Sequence, residues 1–405
     1  MVDELRQVPG SVTAPRGFRA GSTAAGIKSD ATIKDLAVLL ADVPCVAAAT
    51  FTTSRTPAAP VLVCKENLAT AGFRAQAVVV NSGNANCSTG EPGLADARMM
   101  AQRVGERFGI APELVQVSST GIIGRRLPMD KVAAGIAQVE VAADGGDALS
   151  DAILTTDTRA KKIAVEFMVD GTTVRLAGTT KGAGMIYPNM ATMLCYITTD
   201  AAVEQRWLQS ILRAAVNDSF NMICVDGDMS TNDTVLVMAS GLAANAPLAG
   251  TTPGAAAFEA ALRHVTRYLA REIARDGEGM TKLMEVRVLH AATDADARKA
   301  ARSVTLSPLW QCALAGQDPN WGRILAALGA SGADFAHERV AITLGQVPLV
   351  QDGLAVEFAR EHAVAQMTGD EVIITVDLGA GEAAATAWGC DLTHGYIDEN
   401  TLYTR

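Results

Sequence analysis

Aromatic residues make up only 4% of this 405-residue chain, and histidine occurs five times. With so few rings and abundant Ala and Gly, the core must be built from small aliphatic side chains. The histidines, at 264, 290, 337, 362 and 394, form no H-x-x-x-H or H-E-x-x-H pair, which argues against zinc catalysis. None sits in a Gly-rich segment, and there is no G-x-S-x-G elbow, so a histidine-based nucleophile system is disfavoured. Positive charge is also in deficit: 34 Lys and Arg stand against 44 Asp and Glu, a net charge of −10. That weighs against non-specific binding of nucleic acid or of an anionic membrane surface, while leaving room for a local basic pocket. Seven cysteines lie far apart, odd in number and without a C-x-x-C pair, and read as buried free thiols in a reducing compartment. The longest apolar run, from Leu36 to Phe51, is broken by Asp42 and Pro44, so no transmembrane helix is expected. Met1-Val-Asp-Glu-Leu-Arg6 does not start a signal peptide, and a cytoplasmic location is expected.

Hydrophobic residues at 49% and charged residues at 19% describe a well-buried globular protein. The length calls for two or three lobes. Residues 1 to about 30 read as an irregular lead-in. Ala75-Gln-Ala-Val-Val-Val80 reads as a buried strand entering the turn Asn81-Ser-Gly-Asn-Ala-Asn86. A helix follows Pro92, with Leu94, Ala97, Ala101, Val104 and Phe108 at helical spacing. A short strand at residues 115–118 leads into Ser119-Thr-Gly-Ile-Ile-Gly124, and residues 162–176 form a hairpin turning at Asp170-Gly171. Further helices are expected over 201–218 and 254–275, the latter stopped by Asp276-Gly277, with strands over 193–198, 234–238 and around 284–288. Two strand-rich stretches, 340–344 and 371–378, precede a polar tail. Strands and helices interleave without a regular βαβ beat, so the fold class is α+β, in layered sheets and helices.

The densest chemistry lies in Lys181-Gly-Ala-Gly-Met-Ile-Tyr-Pro-Asn-Met-Ala-Thr-Met-Leu194. Ala191 stands directly before Thr192, after a Gly- and Pro-rich approach and before strand-like sequence. A threonine so placed can attack the peptide bond in front of it and become a new N-terminus, its amine then serving as base for its own hydroxyl. An α-amino group has a pKa of roughly 7.7–8.0, close to the operating pH at which a base works best. An ordinary strand residue after a turn is the plainer reading of the same dipeptide. Acyl transfer also needs donors for a developing oxyanion, and Thr120-Gly121, after a strand, is suited to supply them. Two polar turns, Asn81-Ser-Gly-Asn-Ala-Asn86 and Gln317-Asp-Pro-Asn-Trp-Gly-Arg323, read equally as structural loops or as pocket rim. The run from Asp226 to Thr234 looks like a calcium loop at first sight. It fails the rule, because Thr231 and Val237 stand where Gly and Glu are needed.

Together these segments resemble ornithine acetyltransferase, the glutamate N-acetyltransferase of the cyclic arginine pathway. Lys181-Gly-x-Gly-Met-x-x-Pro-Asn-Met-Ala-Thr-Met-Leu194 is similar to its self-cleavage motif. Residues 81–86, Ser119-Thr-Gly-Ile-Ile-Gly124 with Leu127-Pro-Met-Asp-Lys131, and Thr155-Thr-Asp157 match its first half. Asp226-Gly-Asp-x-Ser-Thr-Asn-Asp-Thr234, Asp276-Gly-Glu-Gly279 with Thr281-Lys282, and Asp318-Pro-Asn-Trp-Gly-Arg323 match its second. The resemblance covers nearly the whole chain. It implies cleavage between Ala191 and Thr192, giving an α chain (1–191) and a β chain (192–405) that stay associated as two α and two β chains. It implies that Thr192 carries acetyl from N2-acetylornithine to glutamate by a ping-pong route, with Thr120 and Gly121 as the oxyanion hole and no coenzyme. Thr155, Lys181, Thr192, Glu278 and Asn400 fall on its substrate-binding positions, with Glu278 also a catalytic residue. Lys181 suits an α-carboxylate, and Glu278 an ammonium or a proton relay. At the tail, Asn400-Thr-Leu-Tyr-Thr-Arg405 puts Arg405 where the family carries a substrate-contacting hydroxyl. Either Thr404 or Arg405 takes that place. Cys87-Ser88 replaces the family's Ala-Cys pair, a change of small consequence.

Members with and without use of acetyl-CoA share these motifs, so the sequence does not decide that second activity. Three competing readings remain at this level: a self-processing aminopeptidase or amidohydrolase with the same N-terminal threonine, an acetyltransferase paralogue of a specialised pathway, and a non-catalytic amino-acid binder descended from such an enzyme.

Overall fold

A computed structural model describes residues 5–187 and 193–402. The chain divides into two compact units. The first comprises the described residues of Met1–Gly182, Thr192–Val216 and Met229–Leu269; the second comprises those of Ala183–Ala191, Asn217–Asp228 and Ala270–Arg405.

The first unit contains strands β1 (Arg6–Val8), β2 (Phe18–Thr23) and β3 (Leu36–Phe51), helix α1 (Ala59–Thr70), β4 (Arg74–Asn84), α2 (Gly90–Phe108) and β5 (Val115–Ile122). It continues through α3 (Met129–Gln138), α4 (Gly146–Ala152), β6 (Lys161–Val169), β7 (Thr172–Lys181), β8 (Leu194–Thr199), α5 (Gln205–Asn217), β9 (Thr234–Ala239) and most of α6 (Ala255–Ala274). The irregular lead-in expected from sequence is corrected: β1 pairs with β6 and β2 with β3. Gly21 and its polar neighbours give β2 little strand character, and its pairing with β3 supplies what local propensity lacks.

Nine strands form one sheet in the order β1-β6-β7-β8-β9-β3-β4-β5, with β2 also on β3. The long β3 is the hinge of this sheet. Its first part pairs with β2 and β4, its last part with β9, and the register shifts between Leu40 and Cys45. Pro44, which cannot donate a ladder hydrogen bond, falls in that irregularity. The sheet therefore doubles over. Ala37, Leu39, Val78 and Val80 from one half share a buried core with Leu194, Tyr196, Leu236 and Met238 from the other. The alternate residues, Val38, Leu40, Ala77 and Val79, face outward and pack on Met100, Val104, Val132 and Ile136 of α2 and α3. On the far side, α6 lies close on β7: a side chain on Gly178 would meet Leu269 and Val265. Phe258 of α6 packs edge-on against Phe167 and at a tilt against Trp207. Helix, sheet, sheet, helix is the α+β layering that the sequence implied.

The β6–β7 hairpin turns at Asp170-Gly171 as expected, both residues at positive φ (47° and 77°), the signature of a tight primed turn. The turn read over residues 81–86 begins later than expected, because β4 continues through Asn84 and β5 through Ile122.

The second unit is built on a six-stranded sheet. Its elements are β10 (Leu283–Ala291), α7 (Asp294–Thr305), α8 (Pro308–Ala315), α9 (Trp321–Gly329), β11 (Ala341–Leu344), β12 (Val347–Gln351), β13 (Leu354–Ala355), α10 (Arg360–Ala365), β14 (Glu371–Asp377), β15 (Ala383–Cys390) and α11 (His394–Leu402). Central β10 lies between β14, parallel, and β15, antiparallel. The expected polar tail is corrected as well: residues 394–402 are helical. Six cysteines are buried as read, but Cys312 is exposed. Among the described residues no helix is long and apolar enough to cross a membrane.

Candidate active site

The doubling of the sheet decides the first half of the site. Thr120 lies near the end of β5 and Lys181 ends β7, far apart in strand order. Because the two halves face each other, Lys181 Nζ lies 3.4 Å from Thr120 Oγ1 and 2.8 Å from Thr155 Oγ1. Both Lys181 and Thr120 are buried. Gly121 follows with a φ of +130°, and a side chain there would strike the backbone of Gly83 on β4 at 2.4 Å. Only glycine fits so close an approach. Thr120, Gly121, Thr155 and Lys181, chosen from sequence, thus converge in the first unit.

Beneath them is a charge cluster to which sequence gave no role. Asp157 is fully buried, with Lys161 Nζ at 2.7 Å and Lys181 Nζ at 3.7 Å. The Gly182 amide donates to Asp157 at 2.6 Å and the Thr155 amide at 3.1 Å. Burial alone would raise the Asp157 pKa. Lys181 and Lys161 overcome it and hold the carboxyl well below the usual range. Asp157 is therefore a permanent anion that fixes the Lys181 ammonium. The hairpin offered a clue, since its register pairs Lys161 with Thr180, next to Lys181.

The segment after the expected cut is held equally firmly. Met193 donates its amide to Asp233 Oδ1 at 3.0 Å and accepts the Thr234 amide at 3.1 Å. Asp233 is fully buried, and that burial drives its carboxyl well above the normal range. Its neighbour Asn232 donates to the carbonyls of Ala85 (2.7 Å) and Ser119 (2.8 Å), tying this loop to the strand that carries Thr120. Residues 81–86 are tied down by buried hydrogen bonds. Asn81 accepts from Ser119 Oγ at 2.6 Å, and Asn86 donates to the Gly93 carbonyl at 2.9 Å.

The second unit brings Glu278 and Asn400 together, Asn400 Nδ2 lying 2.8 Å from Glu278 Oε2. Gly184 passes so close to Glu278 that a Cβ would sit 2.3 Å from its carboxyl carbon. Asp226, in the run that resembled a calcium loop, instead accepts the amides of Met185 (2.5 Å), Ile186 (2.9 Å) and Asp228 (3.1 Å). Burial raises its pKa to about 6 in spite of these bonds. Asp318, in the second polar turn, lies 3.3 Å from Arg360 and accepts from Asn320 Nδ2 at 3.1 Å, just before α9. Ala191, Thr192 and Arg405 lie outside the described residues.

A profile of the ArgJ family matches residues 19–405. The chain belongs to the ArgJ family. Arginine biosynthesis bifunctional protein ArgJ of Symbiobacterium thermophilum is 51% identical, with 98% of this chain and 100% of that protein aligned. The Bacillus subtilis protein of the same name is 44% identical over 99% of this chain and 98% of its own length. Among solved structures, the Bacillus halodurans arginine biosynthesis bifunctional protein ArgJ is 44% identical with a TM-score of 0.50, covering 51% of this chain and 97% of that one.

Proposed function

We propose that this ArgJ-family chain cuts itself between Ala191 and Thr192 and then moves acetyl groups on the Thr192 hydroxyl. The chain is an acyltransferase of arginine biosynthesis, a glutamate N-acetyltransferase that takes acetyl from N2-acetylornithine. The observation that carries the site assignment is the meeting of Lys181, Thr155 and Thr120 beside β8, whose first residue, Leu194, pairs with Lys181. In the first half-reaction Thr192 Oγ attacks the acetyl carbonyl while its α-amine takes the hydroxyl proton. The negative charge that develops on the carbonyl oxygen is met by donors at Thr120 and Gly121. Collapse returns the proton to the departing ornithine amine and leaves acetyl-Thr192. Glutamate's amine reverses the steps. Asp157 fixes the Lys181 ammonium for the α-carboxylate common to both substrates, and Glu278 and Asn400 are proposed as further substrate-binding residues.

The cut has support from the comparisons. The Bacillus halodurans chain is matched over nearly its whole length yet accounts for about half of this one, as a processed relative would. A cut before residue 192 divides the 405 residues nearly in half. The protein then comprises α and β chains, expected as two of each in the cytoplasm, with Thr404 supplying the family's substrate-contacting hydroxyl or Arg405 binding a carboxylate.

Intact mass of purified protein tests the processing: two fragments are expected, the second beginning at Thr192. An uncut chain that still turns over N2-acetylornithine would remove Thr192 as the nucleophile. With the donor present, glutamate should speed ornithine release well above hydrolysis, whereas equal rates with water would favour an amidohydrolase. The relatives' shared name, bifunctional, favours a second acetyl source, acetyl-CoA. Assaying glutamate with acetyl-CoA alone tests that use.

A further inference from the structure

Apart from Arg405 at the tail, sequence placed one cation, Lys181, in the pocket. The fold brings a second ammonium to the same loop. The segment before β3 closes around Asp35, which is fully buried and accepts the amides of Ala25 (2.7 Å), Ile27 (2.5 Å) and Lys28 (2.9 Å). One buried carboxylate therefore shapes residues 25–28 instead of leaving them to trail over the surface. The result lays Lys28 against β4: a Cβ on Gly83 would come within 2.9 Å of Lys28 Cγ and 3.4 Å of its amide nitrogen. Gly83 is in turn the residue against which Gly121 is pressed. Lys28 thus rides on the strand edge beside the oxyanion donors. Its Nζ donates to the Leu154 carbonyl at 2.8 Å, and the next residue, Thr155, holds Lys181 Nζ at 2.8 Å.

Lys28 and Lys181 are thus anchored at neighbouring residues of one loop, Lys28 on the Leu154 carbonyl and Lys181 on the Thr155 hydroxyl. Burial lowers the Lys28 pKa, Asp35 and Asp157 raise it, and Lys181 lowers it further. Two ammonium groups near enough to repel each other, on one loop, form a site that an anion completes.

We propose that Lys28 is a second substrate-binding cation, which with Lys181 takes the α-carboxylate common to acetyl donor and acceptor. The proposal rests on the acetyl-transfer reading of this pocket. The α-carboxylate is the right anion because it lies on the carbon that bears the reacting amine, and so close to the oxyanion donors beside Gly83. The far ends of the two substrates, ammonium in one and carboxylate in the other, lie several bonds away and differ in sign.

Lys28→Gln tests this, because glutamine can keep the hydrogen bond to Leu154 while losing the charge, and Lys28→Arg restores it. Substrates are compared with their α-carboxamides: glutamate with isoglutamine, and N2-acetylornithine with its amide. A hydrogen bond to a charged group implies a rise of about 10- to 100-fold in KM for the acids with kcat little changed. The preference for acid over amide should shrink by the same factor, and arginine should recover most of it. Calorimetric binding of glutamate and isoglutamine reads the same preference without turnover. Parent protein that binds acid over amide but transfers no acetyl would sink the acetyl-transfer reading and leave Lys28 standing. An acid-over-amide preference unchanged in Lys28→Gln would overturn the proposal, reducing Lys28 to a packing residue. Should the glutamine variant not fold, Lys28→Met carries the same comparison.

Discussion

Replacing Asp157 by asparagine removes one charge and almost no volume, and it leaves two buried ammonium groups without their shared anion. At an effective dielectric of about 20, unit charges 2.7 Å apart attract by about 6 kcal/mol, and charges 3.7 Å apart by about 4.5 kcal/mol. Lys161 and Lys181 stand at those distances from Asp157. The cost of stripping water from three ions offsets much of this, so the cluster as a whole adds little net stability. Breaking it is another matter, and removing one partner of a buried pair costs about 3–5 kcal/mol. Asp157→Asn should lower the urea midpoint accordingly at pH 7. The same gap between variant and parent should hold down to about pH 4, because the depressed Asp157 pKa loses its stabilising contribution only as pH falls through the folded-state value. Adding Lys161→Met should recover much of the loss by deleting the stranded charge. A double-mutant cycle would then show coupling of about 2 kcal/mol or more. If Asp157→Asn unfolds within about 1 kcal/mol of the parent, or if the two losses simply add, the cluster is not held as described.

Three other outcomes are expected. Thr192→Ala should yield one uncut chain by intact mass and no acetyl-enzyme on incubation with N2-acetylornithine. Gly121→Ala combines a disfavoured positive φ with overlap onto Gly83 and should cost about 2–5 kcal/mol in denaturant unfolding, with activity lost as β5 shifts. Asp226, raised to about 6, binds its proton more tightly folded than unfolded. Its contribution to stability is therefore complete below about pH 4 and lost as pH rises through about 6. Asp226→Asn should remove that loss, so unfolding curves of variant and parent should diverge in the variant's favour between pH 4 and 7.

Elements with strong apolar periodicity were legible. Phe258, Leu262, Val265 and Leu269 mark the buried stripe of α6, and Asp170-Gly171 marks the hairpin. Strand β2 was not legible, because Arg19, Gly21 and Ser22 carry no strand pattern and only the pairing with β3 makes them one. Helix α11 holds Gly395 and exposed polar residues, and it too was hidden. The site divides along the same line. The resemblance pointed to Thr120, Thr155, Lys181, Glu278 and Asn400. It could not show that Lys181 reaches Thr120, since that depends on the sheet folding over at β3. Asp157 stood inside a quoted motif without a role, and Lys28 stood in none, because the burial that gives each its meaning is a property of the packed chain.

The expected cut falls between β7 and β8, and the ladder there explains why two polypeptides would stay together. Strands β7 and β8 pair antiparallel from Leu176↔Thr199 to Lys181↔Leu194, and β8 then pairs parallel with β9, which pairs with β3. The adjacent strands β8 and β9 would thus come from one chain and be flanked on both sides by strands of the other, and breaking the peptide link between neighbours removes none of those hydrogen bonds. The shared core runs the same way: Leu39, Val78 and Val80 before the cut pack with Tyr196, Leu236 and Met238 after it. Neither polypeptide could bury that surface alone, since the first would expose the inner face of β3 and β4 and the second that of β8 and β9. A covalent bond between adjacent, fully paired strands is the connection this fold needs least. Met193, which leads directly into β8, is held from both sides by Asp233 and Thr234, bonds that a cut before residue 192 would leave in place.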